Sequence, residues 1–239
     1  MFRVAAASFA LLTGIAFAEG SLLQPWGRGP AAAAPWHVAG LPQQSKPFTR
    51  FEVVELDGQR VLRVEAESSY GNLVHPLQLD AAPTSLQAAW RWRLDQPLEA
   101  ADIRQRASED IALKVCVLFD EPMAQVPFVE RQVLRLARVR AGEWLPSATV
   151  CYVWDNRLPV STALRSPYTG RVRYVVAESG PESLRQWRSE RRDVVADYLR
   201  LFGDESDTVP PLIGVGVGAD ADNTHGRSLG YVAELMLLP

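Results

Sequence analysis

Four side chains able to bind a metal ion stand close together near the C-terminus: Asp220, Asp222, Asn223 and His225. They follow three alternating glycines, Gly214, Gly216 and Gly218. "GVGVGA" formally satisfies a dinucleotide fingerprint. That chemistry needs a strand, a tight turn and then a helix whose N-terminus meets the pyrophosphate. Here Asp, Asn, Thr and Gly make a turn, and only a strand-length tail remains. No nucleotide site is expected. The Asp220-x-Asp222-x-Thr224 spacing opens like an EF-hand loop, but Tyr231 stands where a bidentate Glu is required. Two readings are left. One is a looser structural calcium site with Asp220, Asp222 and Asn223 as oxygen ligands. The simpler one is a polar turn whose side chains bond their own backbone. For zinc, His225 has no partner pair nearby, since His37 and His75 are remote in sequence. No other cofactor is indicated.

Acid–base chemistry has two candidate pairs, Glu109-Asp110 and Asp193 with Asp197 one helical turn apart. Glycoside hydrolysis needs two carboxyls facing each other across a cleft. Asp193 and Asp197 pair more simply with Arg191, Arg192 and Arg200. No G-x-S-x-G nucleophile elbow occurs. No catalytic residue is assigned, and catalysis ranks behind binding.

The basic residues suggest a different site. By strand alternation, Arg91, Arg93, Lys114, Arg171 and Arg173 fall opposite the apolar face of their strands. If those strands share one sheet, a chain of net charge −3 carries a basic outer face. Such a face would take an anionic ligand, for example an acidic glycan. The competing reading is structural: inserted helices cover the face, and Glu190, Asp193 and Asp197 neutralise the arginines.

The elements that must position these groups are mostly strands. "TSLQAAWRWRLDQPL" alternates, with Leu86, Ala88, Trp90, Trp92 and Leu94 on one side. Asp57-Gly58 between two apolar-rich runs marks a tight hairpin. "PWHVAGLP" is a short first strand; "GNLVHPLQL" is an edge or broken strand because of Pro76. In "ALKVCVLFD" and "ATVCYVWD", Cys116 and Cys151 lie opposite the apolar faces. If these strands are neighbours, both thiols leave the same sheet face and bridge; otherwise they are two free thiols. "PFVERQVLRLARVRAG" spaces Val129, Val133, Leu136 and Ala137 as a helix. "PESLRQWRSERRDVVADYLRLFG" reads as a second helix with Trp187, Val194, Tyr198 and Leu201 on one side. In the glycine strand, Ile213, Val215, Val217 and Ala219 make one face. The bare glycine face predicts a bulky group packed against it.

The N-terminus reads as a secretory signal peptide over residues 1–18. A lone Arg3 precedes an uncharged run that ends in Ala16-Phe17-Ala18. The run is too short to span a bilayer, which takes about 20 apolar residues. Residues 19–35 are rich in Ala, Pro and Gly and read as a flexible leader, and 36–239 as one domain. The net charge gives no nucleic-acid footprint. Many strands and two helices without βαβ alternation predict a mainly β fold. The expectation is a two-sheet antiparallel β-sandwich, jelly-roll or galactose-binding-like, with two inserted helices.

The ordered set "WRWRLD", "SEDIALKVCVLF", "YVWD", "RRDVVADYLRLFG" and "ADADNT" resembles a family of exported bacterial proteins, the domain of unknown function 3047. The resemblance runs over about residues 35–239. It implies an exported location and a sandwich related to carbohydrate-binding modules, and brings no activity or site residues with it. The two strand cysteines and the glycine alternation depart from the family pattern. The resulting expectation is an exported, periplasmic or secreted, non-catalytic module that binds a saccharide or another cell-envelope ligand. The alternatives are a carbohydrate-active hydrolase using paired carboxylates, and a structural or protein-partner role in the periplasm.

Overall fold

Two β-sheets pack face to face in the computed structural model, which describes residues 20–79, 83–141 and 145–239. The expected signal peptide lies outside the described residues. In chain order the elements are β1 (His37–Ala39), β2 (Arg50–Leu56), β3 (Gln59–Glu67), β4 (Tyr70–Pro76), β5 (Gln87–Gln96) and β6 (Ile111–Phe119). Then follow α1 (Phe128–Ala141), β7 (Ala148–Asp155), β8 (Ala163–Arg165), β9 (Val172–Ser179) and β10 (Arg188–Asp193). The chain ends with α2 (Val194–Phe202), β11 (Leu212–Asp220) and β12 (Arg227–Leu238). The larger sheet has seven strands in the order β1-β4-β11-β6-β7-β9-β8, the smaller five in the order β10-β5-β12-β3-β2. This is a mainly β, jelly-roll-type sandwich with two inserted helices. One pairing departs from the antiparallel expectation: β7 and β9 run parallel.

Local sequence explains the framework. Asp57 (φ 53°) and Gly58 (φ 73°) take the positive φ values of the β2–β3 hairpin turn. Alternation in β5 puts Ala88, Trp90, Trp92 and Leu94 between the sheets. Opposite them stand Leu113, Val115, Val117 and Phe119 of β6, and Val150, Tyr152 and Trp154 of β7. The rings interlock: Trp90 meets Tyr152 at 5.3 Å and Trp92 meets Trp154 at 5.5 Å between centroids. Such aromatic pairs add about 1 kcal/mol each beyond the area they bury. β12 runs between β3 and β5 and closes the smaller sheet.

Four expectations are corrected. The second helix covers only Val194–Phe202; Arg188–Asp193 is the edge strand β10, paired with β5. Asp193 ends that strand and caps the helix, its carboxylate accepting from Ala196 N at 3.0 Å. The supposed flexible leader packs on the sandwich: Leu23 and Trp26 are buried, Trp26 meets Trp36 at 4.3 Å, and Leu22 N donates to Leu237 O at 2.8 Å. Strand β4 is interior, flanked by β1 and β11, and Pro76 is tolerated because it is the strand's last residue and lies beyond the β1 pairing. Finally, a bulge between Leu212 and Gly214 sends Leu212, rather than Ile213, into the core with Val215, Val217 and Ala219.

Candidate functional site

The outer face of the larger sheet is where the site lies. Cys116 on β6 and Cys151 on β7 are directly opposite in register and form a disulfide. Both sulfurs leave the face turned away from the sheet–sheet core, as alternation predicts. Beside them, Gly216 on β11 pairs with Cys116 on one side and with Val74 of β4 on the other. A Cβ on Gly216 would meet Val74 Cγ2 at 3.6 Å, Leu73 O at 3.8 Å and Asn72 Cβ at 3.9 Å, all ordinary contacts. Among the described residues no bulky group packs on this glycine, which corrects that expectation: Gly216 opens into a cavity. Its neighbours are different. A Cβ on Gly218 would run into Asn72 Oδ1 and, at 2.9 Å, Gly71 O, and one on Gly214 into His75 O at 2.9 Å.

The cavity has a volume of about 850 Å³ and lies between this sheet face and α1. Helix α1 lines it with Val129, Val133, Leu134 and Ala137. Strand register grades its floor. At one end stand Tyr70, Lys114 and Asp220, in the middle Val74, Gly216 and the disulfide, and at the other end Leu118, Thr149 and Val172. The floor therefore runs from charged and aromatic to more apolar, with Thr149 and the Arg171–Glu130 ion pair bordering the far end.

At the polar end Lys114 Nζ donates to Asp220 Oδ1 at 3.1 Å and stands 5.1 Å from the centre of the Tyr70 ring. Ile111 N also donates to Asp220. Burial pushes the Asp220 carboxyl up to about 6 against the opposing pull of Lys114. Burial alone would lower Lys114, but the charge of Asp220 and the Tyr70 phenol outweigh it and raise its pKa. Glu109 accepts from Ser166 Oγ at 2.6 Å and from the Tyr174 hydroxyl, whose pKa is raised by burial and by the Glu109 charge. Burial likewise raises the Tyr70 phenol.

The expected calcium ligands only partly converge. Asp220 and Asp222 each bring a carboxylate oxygen to within 4.8 Å of one from Asp110. Asn223 is otherwise engaged: its amide donates to Glu109 O at 2.9 Å and its carbonyl accepts from Tyr168 OH at 3.1 Å. Positive charge is already present, since Lys46 Nζ donates to Asp222 Oδ2 at 2.6 Å and Lys114 holds Asp220. These are the chain's two lysines. Asp110 organises the turn by accepting from Asn223 N, Thr224 N and Thr224 Oγ1. His225 is exposed in a left-handed conformation and joins no metal-type cluster among the described residues.

The five basic residues do not share one sheet. Arg91 and Arg93 lie on the outer face of the smaller sheet, where Glu234 pairs with the first and Asp95 and Asp57 with the second. Lys114 and Arg171 line the cavity; Arg173 does not. Arg173 stands on the same strand face as the core residues Val175 and Ala177 and lies 4.0 Å from the Phe202 ring centre. Alternation failed on β9 because both its faces are buried: Tyr174 and Val176 belong to a second apolar cluster around the disulfide. The arginines' partners also differ from those expected. Arg171 pairs with Glu121 at 2.7 Å, Glu130 at 2.5 Å and Glu205, and Arg173 with Asp204 at 2.8 Å and Glu205. Glu190 pairs instead with Arg192, and Asp197 accepts from Tyr152 OH and Arg200. The acid–base pair Asp193/Asp197 is thus a helix cap and a tyrosine anchor.

Sequence reading missed the cavity residues Tyr70, Asn72, Tyr168 and Tyr174. The signal was present in "YGNLVHP", where Tyr70, Asn72 and Val74 alternate with the more deeply buried Gly71, Leu73 and His75.

Fold and site together define a class: a jelly-roll-type sandwich with a helix-covered cavity on the outer face of one sheet. Over residues 34–236 the chain matches the family described as a protein of unknown function, DUF3047, and it belongs to that family. No curated protein matches it. Among solved structures it is similar to the Trichoderma harzianum endoglucanase 3 from family GH12. Identity is 8% and the TM-score 0.40, covering 87% of this chain and 98% of that one. It is also similar to the xyloglucanase domain of NopAA, a type three effector from Sinorhizobium fredii, at 9% identity and a TM-score of 0.39, over 85% and 97% of the two chains. A cellulose induced protein follows at 10% identity and a TM-score of 0.35, over 84% and 90%.

Proposed function

We propose that the chain is an exported, non-catalytic binding module whose cavity holds a cell-envelope ligand with an apolar body and a polar, hydroxyl-bearing head. The graded cavity carries this reading. Its volume, about 850 Å³, falls in the range of small-molecule sites. Apolar side chains from α1 and the sheet suit an alkyl or other apolar segment. The Tyr70–Lys114–Asp220 end suits a sugar-like or phosphorylated head. The disulfide fits an oxidising, exported setting. Among the described residues no helix is long and apolar enough to cross a membrane.

One observation favours the hydrolase alternative: Asp220, raised to about 6, is a carboxyl poised for proton transfer. Against it, every cavity carboxylate is already engaged: Glu109 by Ser166 and Tyr174, Glu130 by Arg171 and Gly170 N, Asp220 by Lys114 and Ile111 N, Asp222 by Lys46. The test is calorimetric titration of the full chain with dodecyl maltoside below its micelle concentration, with maltose, and with dodecanoate. Saturable binding of the glycoside, about tenfold or more tighter than either part alone, is expected, with no sugar released. Release of reducing sugar would establish the hydrolase reading. No binding of any probe would remove the ligand reading and leave the structural role.

A further inference from the structure

Helix α1 presents an apolar surface that the sandwich does not cover. Phe128, Leu136 and Val139 are 69%, 51% and 82% exposed, and none of them lines the cavity. Helical spacing places the three along one stripe. Val129 and Val133, at the cavity wall, are themselves 72% and 64% exposed, so the apolar surface continues from the outer stripe to the cavity. Arg135 flanks the stripe on one side and Arg140 on the other, while Arg131 donates to Val126 O and Arg138 turns inward to Asp120 at 3.0 Å. The helix thus carries four arginines against one glutamate in a chain of net charge −3, and that glutamate, Glu130, is taken by Arg171. Arg135 and Arg140 are exposed.

We infer that α1 is a membrane-interface helix that docks the protein on an anionic bilayer surface through Phe128, Leu136 and Val139, with the exposed Arg135 and Arg140 at the lipid headgroups. The physics is that of interfacial amphipathic helices: aromatic and aliphatic side chains gather on one side, arginines line the flank, and the helix as a whole is too polar to enter the bilayer core. Each basic residue near an anionic surface adds attraction that salt screens. A second copy of this chain fits less well, because two such helices would bring their arginines together. The inference does not depend on what the cavity binds. It does give an amphiphilic ligand a short path, since the docked face adjoins the cavity.

The experiment is flotation of the full chain with vesicles of phosphatidylglycerol and phosphatidylethanolamine, and with phosphatidylcholine vesicles. Binding to the anionic vesicles, weakened by salt, is expected. The triple variant Phe128→Ser, Leu136→Ser, Val139→Ser should lose about tenfold or more of that binding. It should keep its melting temperature and its dodecyl maltoside titration, because these side chains touch neither core nor cavity. Arg135→Glu with Arg140→Glu should erase the preference for anionic lipid. Absence of vesicle binding, or binding that survives the serine substitutions, overturns the inference. So does concentration-dependent dimerisation that the same serines abolish, which would assign the face to a second copy. A cavity variant, Gly216→Leu, separates the two proposals: it should lose glycoside binding and keep flotation.

Discussion

Gly216 and Gly218 sit two residues apart on one strand face and have opposite surroundings. At Gly216 a valine fills open cavity and meets Val74 at contact distance, while strand propensity improves. Thermal melting of Gly216→Val should match or slightly exceed that of the parent. At Gly218 even alanine meets Asn72 Oδ1 and the Gly71 carbonyl, and overpacking of this kind costs about 1–3 kcal/mol. A melting curve for Gly218→Ala should shift down accordingly, and equal curves for the two variants would contradict the cavity. The sequence showed that the glycine face was bare. It could not show whether the space was occupied, because alternation reports direction and not what lies opposite. The same limit applies to the basic residues. Alternation turned Arg91, Arg93 and Lys114 outward correctly, yet it carries no information on which of two sheets a strand joins.

At the level of elements, polar sequence misled most where pairing overrode local pattern. "RSERRD" has charges throughout and adjoins a genuine helix, so helical periodicity extended into it. The segment is a strand because β5 offers it a free ladder edge, and an edge strand needs no apolar face. The strand cysteines, by contrast, were legible: two strands with matching alternation become neighbours across the connection that carries α1. A second consequence belongs to the segment after α2. Glu205 holds both Arg171 and Arg173, whose side chains are almost fully buried at the end of β9. Removing Glu205 takes a charge-assisted hydrogen bond from each arginine, about 1.5–3 kcal/mol apiece, while Glu121, Glu130 and Asp204 remain as counter-charges. Glu205→Ala should therefore lower unfolding free energy in urea by about 3 kcal/mol. Glu234→Ala, which frees only the part-exposed Arg91, should change it by less than about 1 kcal/mol. Similar costs for the two would mean that the buried network is not holding the strand end.

For the molecule as a whole, the jelly-roll-type sandwich was readable from the tryptophan-rich alternation, and its outer-face cavity was not. A cavity arises from the distance between a helix and a sheet, and no local pattern encodes that distance. Whole-molecule stability carries the signature of the cavity's polar end. A carboxyl raised from its ordinary value of 3.8 to about 6 binds its proton more tightly folded than unfolded. Its contribution is present below pH 4 and is lost as pH rises from about 4 to 6. Glu65, which burial would raise but Arg227 and Arg63 hold low, has the opposite sign: its contribution is present above its unfolded value and is lost in acid. Comparing Asp220→Asn with the parent cancels Glu65. The parent's stability relative to the variant should decline between about pH 4 and pH 7, by about 1.4 kcal/mol per pH unit at most within the window. A pH-independent difference in urea denaturation would show that Asp220 titrates normally.

The bridge between β6 and β7 has one more consequence. Cys116 and Cys151 are 35 residues apart, and α1 lies wholly inside the ring they close. Everything that builds the two sheets lies outside that ring or at its junction. A peptide bond cut anywhere in the ring leaves both halves of the protein covalently joined, with the β6–β7 ladder still in register. The ring is therefore a separable cassette. An engineer can lengthen or nick the helix-bearing arc while the sandwich keeps its topology, provided Glu121 and Glu130 still reach Arg171, which concentrates freedom to diversify on the segment that roofs the cavity.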